Sequence, residues 1–313
     1  MAGPAGSGRP AAGGGVSPGT GRAWAELLRL PAVLSVPGDA LAGAAAVGGR
    51  PHRGTALAVG SALCLYEAGM ALNDWADRAV DAVERPERPL PSGRIAPGAA
   101  LAASAALTGA GLGLAALAGR PALGVAGALA ATVWAYDLRL KHTVGGPAAM
   151  GAARALDLLL GAVATAHPRA TARPASAALP SAALLGSHTV AVTAVSRREA
   201  EGGRPGIPVA AALAAGLITS RAAPWRPARP ASTAHLTARA AAGGYLATFA
   251  GPLARAALHP TPPSLQRAVG GGIRATIPLQ SALTARAGSP VTAGTLLALL
   301  PLARRLSRKV SPT

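Results

Sequence analysis

The sequence predicts an all-α, polytopic membrane helix bundle of about nine transmembrane helices, and three observations predict it. Half of the 313 residues are apolar and only 13% are charged, against about 25% in soluble domains. The apolar residues fall into blocks of roughly 17–22, long enough as helices to cross a hydrocarbon core about 30 Å thick. The Arg residues gather between those blocks, as the positive-inside rule expects.

Taken in order, residues 1–22 are mostly Gly, Pro, Ala and Ser with two Arg. They lack the apolar region of a signal peptide and read as a disordered tail before one transmembrane domain, 23–313. Apolar blocks follow near 30–48, 55–73, 99–118, 121–138, 146–166, 176–195, 207–220, 236–258 and 268–285, with a weaker one at 290–303. Small residues occur so widely that small-xxx-small patterns mark no particular interface. The charged connectors 74–98, 139–145 and 196–206 fall on one side, the cytosolic one, when spans are counted from an interior amino terminus. Arg221, Arg226 and Arg229 fit that count less well, because their connector falls outside. Trp24, Trp75, Trp134 and Trp225 lie at or beyond block ends, where amphipathic rings settle.

Thirty Lys and Arg against twelve Asp and Glu give a formal charge of +18. Because the cations sit between apolar blocks, they point to membrane lipid and an anionic substrate, and no nucleic acid is expected. Cys64 is the sole cysteine, which excludes an intrachain disulfide or a cysteine metal cluster. His142 and His188 have no metal-ligand partners at suitable spacing.

The chemistry concentrates after the second block, in Asn73-Asp74-Trp75-Ala76-Asp77-Arg78-Ala79-Val80-Asp81. On a helix, Asp74, Asp77 and Asp81 lie within roughly 60° of one another. Three like charges on one stripe call for a cation among them. Mg²⁺ suits, since one or two carboxylates with phosphate oxygens and water usually hold it. The alternative is a solvated face at a helix end. Next comes Arg85-Pro86-Glu87-Arg88-Pro89-Leu90-Pro91-Ser92-Gly93-Arg94. Its prolines stiffen the loop, and Arg88 and Arg94 offer forked donors for phosphate.

Residues 67–95 resemble the first signature of the UbiA-type intramembrane prenyltransferases: Asn-Asp-x-x-Asp-x-x-x-Asp, then Arg-Pro-Leu-Pro-Ser-Gly-Arg. Tyr136 and Lys141, in YDLRLK, resemble the Tyr-x-x-x-x-Lys element after the fourth span. The segment SRREAEGG and the ending LSRKVSPT look most like an EboC-like branch. The resemblance implies a nine-helix bundle around a central cavity opening to lipid. It also implies prenyl transfer from a polyprenyl diphosphate to a lipophilic acceptor with Mg²⁺. The loop charges put the site on the cytosolic side, and a bacterial plasma membrane is expected. Asn73, Asp74, Asp77 and Asp81 would form the first metal–diphosphate site, with Tyr136 and Lys141 facing the diphosphate. A terpene cyclase using the same site, or a non-catalytic lipid-binding or transport protein, are the alternatives. Where two Asp four apart usually form a second acidic motif, this chain has Ser196-Arg197-Arg198-Glu199-Ala200-Glu201. Either Glu199 supports a second metal, or Arg197 and Arg198 neutralise the diphosphate directly.

Ionisable groups inside spans are functional candidates by default. Arg154 and Asp157, three apart in the fifth block, read either as substrate-binding groups or as an ion pair tying two spans together. Asp39 is a similar case. Glu67 stands seven residues before Asp74 on the same helix face and would border the acceptor cavity. Tyr136 and Lys141 also have a plainer reading, as a belt residue and a snorkelling anchor.

Overall fold

The computed structural model describes residues 18–29, 35–166, 174–199, 202–223 and 232–310. Every regular element among them is helical. In chain order they are α1 (Pro18–Leu27), α2 (Val36–Ala46), α3 (Arg53–Ala76), α4 (Arg78–Glu84), α5 (Pro97–Ala118) and α6 (Arg120–Ala135). A π-helical segment (Tyr136–Leu140) leads on to α7 (Gly146–Thr165), α8 (Pro174–Ser196), α9 (Gly206–Ala222), α10 (Thr233–Leu258), α11 (Pro262–Arg286) and α12 (Pro290–Val310). Each apolar block of the sequence has become a helix.

Five of these segments are long and apolar enough to cross a membrane: Arg53–Ala76, Pro97–Ala118, Arg120–Leu140, Gly146–Thr165 and Ala175–Ser196. α9 and the first part of α12 are apolar but shorter. The chain is an integral membrane protein. More than half of the α3 span is buried within the protein, against about a fifth of α5 and of α6. α3, which carries the acidic stripe, is thus a central helix, and α5 and α6 present their apolar faces outward.

Helix α1 begins at Pro18, inside the segment expected to be a disordered tail. Ala23 and Leu27 are fully buried and cluster with Ala71, Leu90, Ile95 and Ala100. That burial is the reason a helix forms there. Residues 1–17 of that expected tail, with Glu201, Trp225, Arg226 and Arg229, lie outside the described residues.

Two glycines set the α2–α7 crossing. A Cβ on Gly161 would lie 2.2–2.6 Å from the Ala40 backbone, and one on Gly43 would lie 2.0 Å from the Leu158 carbonyl oxygen. Backbones this close require residues without side chains.

Candidate diphosphate-binding site

The site begins where α3 ends. Asp74 is buried on the last turn of α3, Asp77 stands at the junction with α4, and Asp81 is buried on the first turn of α4. The stripe expected from spacing exists. The three carboxylates do not converge on a single point, however, and among the described residues no group of three or more His, Cys, Asp or Glu could hold a metal. Protein cations are interleaved among them instead. Arg88 donates to Asp81 at 2.8 Å and lies 3.6 Å from Asp74. Arg29 reaches Asp74 at 3.4 Å, and Arg85 lies 3.9 Å from Asp81. Lys141 pairs with Asp77 and donates to Asn73 Oδ1 at 2.6 Å. Buried carboxylates need such partners, because removing an anion from water is otherwise costly.

The loop after α4 holds Arg88 in place. The Ser92 amide donates to the Arg88 carbonyl and the Ile95 amide to the Pro89 carbonyl, both at 3.0 Å. Gly93 has φ +71°, a left-handed conformation that suits glycine. Leu90 and Ile95 anchor the loop against α1.

The π-helical segment delivers Lys141. In a regular α-helix Tyr136 and Lys141 would point about 140° apart. Here the Lys141 amide donates to the Tyr136 carbonyl at 2.9 Å, five residues back, which brings both to one side. Single π turns are frequently found at functional sites. Tyr136 lies within electrostatic reach of Asp77, Asp137 and Arg197.

The segment also delivers a residue the sequence reading missed. Asp137 is buried, with Lys141, Asp77, Asp74 and Arg29 as its electrostatic neighbours. Assuming a regular helix, its spacing gave no sign of this. Arg29, at the end of α1 with φ +47°, was likewise missed, since only the tertiary docking of α1 carries it to Asp74.

Other expected site residues sit elsewhere. Arg94 makes a bidentate pair with Glu26 at 2.7 and 3.1 Å, so it fastens the loop to α1. Arg197 donates to the carbonyls of Thr143 (2.6 Å) and His142 (3.3 Å), and the Gly146 amide also donates to the Thr143 carbonyl at 3.1 Å; Arg197 thus braces the turn that follows Lys141. Arg198 is engaged in an interaction of its own. Glu199 is half-buried, and burial pushes its carboxyl above the usual range, with the Arg85 guanidinium opposing. The second charged segment thus faces the loop that follows the acidic stripe.

Arg154 does not pair with Asp157. It pairs with Asp39 of α2 at 2.8 Å, while Gln280 of α11 donates to Asp39 Oδ1 at 2.7 Å. Asp157 is buried beside Asp39. The group ties α2, α7 and α11 together, because the Gly43–Gly161 crossing brings α2 against α7. Glu67 is buried with no hydrogen bond to either carboxyl oxygen. The His188 ring nitrogens face Tyr245 Oη at 3.3 Å and the Gly272 carbonyl at 3.1 Å.

The donors around the stripe are all oxygen atoms, from Asn73, Asp74, Asp77 and Asp81. They fit Mg²⁺ in its usual protein mode, in which few carboxylates bind and substrate phosphate oxygens complete the shell. Four basic groups brought against these carboxylates, Arg29, Arg85, Arg88 and Lys141, fit a diphosphate.

The model of the UbiA prenyltransferase family matches residues 31–261. The chain belongs to this family. Among curated proteins it is similar to digeranylgeranylglyceryl phosphate synthase from Ignicoccus hospitalis, 39% identical over 148 residues, which cover 46% of this chain and 48% of that protein. The enzyme of the same name from Methanopyrus kandleri is 36% identical over 127 residues, covering 39% and 45%. The matched stretch thus spans about half the length of these curated relatives. Among solved structures, a UbiA homologue from Aeropyrum pernix in its apo form superposes with a TM-score of 0.58 at 17% identity, covering 86% of this chain and 97% of that one. A homologue from Archaeoglobus fulgidus bound to DMAPP and Mg²⁺ gives 0.53 at 14% identity, covering 82% and 99%. These likenesses establish the UbiA fold.

Proposed function

We propose that this chain transfers a polyprenyl group from an isoprenoid diphosphate to a lipophilic acceptor within the membrane. The observation that carries the reading is the interleaving of Asp74, Asp77 and Asp81 with Arg88, Arg29 and Lys141 at one end of α3. Family membership supports it. So do the name of the curated relatives and the isoprenoid diphosphates held by the Archaeoglobus fulgidus homologue.

One or two carboxylates drawn from Asp74, Asp77 and Asp81, with oxygens of the substrate diphosphate, would hold Mg²⁺, which would supply neutralising charge to the departing diphosphate. Lys141, Arg88 and Arg29 exchange their carboxylate partners for phosphate oxygens as substrate enters. When the allylic carbon–oxygen bond breaks, its electron pair leaves with the diphosphate, and these cations take up the new charge. Tyr136, on the same turn as Lys141, presents its hydroxyl and ring to the allylic cation. The apolar bundle excludes water that would quench that cation. A nucleophilic carbon or oxygen of the acceptor then forms the new bond and gives its proton to the released diphosphate. Glu67, whose carboxyl oxygens have no hydrogen-bond partner, would border the acceptor, and Glu199 would help hold a second metal at the facing segment.

The same reading takes residues 23–313 as one domain. It counts nine crossings, α2, α3 and α5 to α11, in a bacterial plasma membrane with the site on the cytosolic side. The test is to incubate the membrane-embedded protein with radiolabelled geranylgeranyl and farnesyl diphosphates, Mg²⁺ and a lipid extract. Labelled lipid that requires the extract is the expected product. A labelled hydrocarbon formed without extract marks a cyclase, and failure to release diphosphate defeats both.

A further inference from the structure

A second basic site lies away from the acidic stripe. Pro252 and Arg255 of α10 and Ser264, Arg267 and Arg274 of α11 line a cavity of about 190 Å³. Its three guanidinium groups are exposed at the protein surface, and none makes an ion pair with a carboxylate among the described residues. The sequence offers them none nearby: the 112 residues after Glu201 contain thirteen Arg and Lys and no Asp or Glu.

Arg274 is the telling member. It lies about 18 Å along α11 from Pro262, at 1.5 Å per residue, on an outward face beside exposed Ile273. Under the proposed count, in which α11 is a crossing, a cation at that depth would face acyl chains and is costly unless it reaches a polar partner. Helical side chains lean toward the amino terminus, and Arg274 does so: a Cβ on Gly270 would lie 3.2 Å from its Nη1. Glycine at 270 leaves that path clear, and it leads toward Arg267, one face and two turns away. Arg267 meanwhile donates to the Pro263 carbonyl at 3.0 Å and to Ser264 Oγ at 3.4 Å. Like charges held together without a counter-ion repel. Their convergence calls for an anion.

The place decides which anion. The turn between α10 and α11 accepts a hydrogen bond from the Gly203 amide at Pro260, 3.1 Å. That connector, through Arg197, also contacts the turn after Lys141. The cavity is therefore at the same end of the bundle as the acidic stripe and, resting on the proposed reading of α10 and α11 as crossings, it opens toward lipid near an interface. We infer that Arg255, Arg267, Arg274 and Ser264 form a binding site for the phosphate of an anionic membrane lipid, with its acyl chains running along α10 and α11.

Native mass spectrometry of the full chain released from nanodiscs of phosphatidylglycerol mixed with phosphatidylcholine tests this. The intact protein is expected to retain phosphatidylglycerol in preference, and R255Q/R267Q/R274Q to lose that preference by about tenfold or more. R286Q, at the far end of α11, is expected to behave as the unaltered chain. Thermal unfolding of each variant in detergent separates lost binding from lost folding, since all four arginines are exposed. Unchanged retention by the triple variant overturns the site. An equal loss in R286Q overturns it in favour of diffuse basicity. Displacement of the lipid by millimolar inorganic phosphate overturns the lipid assignment in favour of a free anion.

Discussion

Lys141, on the first residue after a π-helical turn, pairs with Asp77 at the α3–α4 junction and donates to Asn73. Two arcs of the chain separated by more than sixty residues are thereby locked at one point. A group that serves only to anchor a helix end in the interface would not need the turn that aims it inward. Lys141→Ala is expected to lower turnover of an isoprenoid diphosphate by about 10²–10³-fold, the usual cost of one preorganised charge-stabilising group. Lys141→Arg should recover part of it. Activity assays of both variants, at matched levels of folded protein, check this.

Arg88 bridges Asp81 and Asp74, both buried. Arg88→Ala leaves two buried carboxylates short of a partner and is expected to destabilise by about 1–3 kcal/mol. Added Mg²⁺ with an isoprenoid diphosphate should restore most of that loss through binding to the folded state. Thermal melts with and without those ligands give the answer.

The Asp39–Arg154 pair is an intramembrane clamp between α2 and α7. Arg154→Met strands a buried carboxylate and should cost about 3–5 kcal/mol. The double change Asp39→Asn with Arg154→Met should cost less than Arg154→Met alone. A double-mutant cycle on unfolding in detergent measures the coupling, and simple additivity would show that the pair does not act as one.

Glu199 supplies a pH dependence. Its carboxyl titrates above its ordinary value of 4.5 in the folded protein because burial disfavours the anion. The folded state therefore holds a proton that the unfolded state has released, so stability falls as pH rises from about 4.5 through the raised value. Glu199→Gln should flatten that part of the curve, as read from melting temperature against pH.

Much of the fold was legible because hydrophobic block length depends on bilayer thickness alone. Each block from 30–48 onward became a helix. The stripe at 74, 77 and 81 was legible because its three carboxylates lie close in sequence. What spacing could not carry was anything made by tertiary approach. Arg29 reaches Asp74 only because α1 docks on the 85–96 loop, and Asp137 turns inward only because the helix widens into a π turn. Arg154 looked like a partner for Asp157 along one helix. The Gly43–Gly161 crossing, hidden among forty glycines, gave it Asp39 instead.

The central claim is that the carboxylates at the end of α3 work on an isoprenoid diphosphate. Its most direct test is Mg²⁺-dependent diphosphate release by the membrane-embedded protein, compared with Asp74→Asn and Asp77→Asn, with folding verified by thermal melting. The account predicts release by the unaltered chain that chelation abolishes, and a loss of at least about 10²-fold in each variant. Folded variants that release diphosphate as fast as the parent would contradict it.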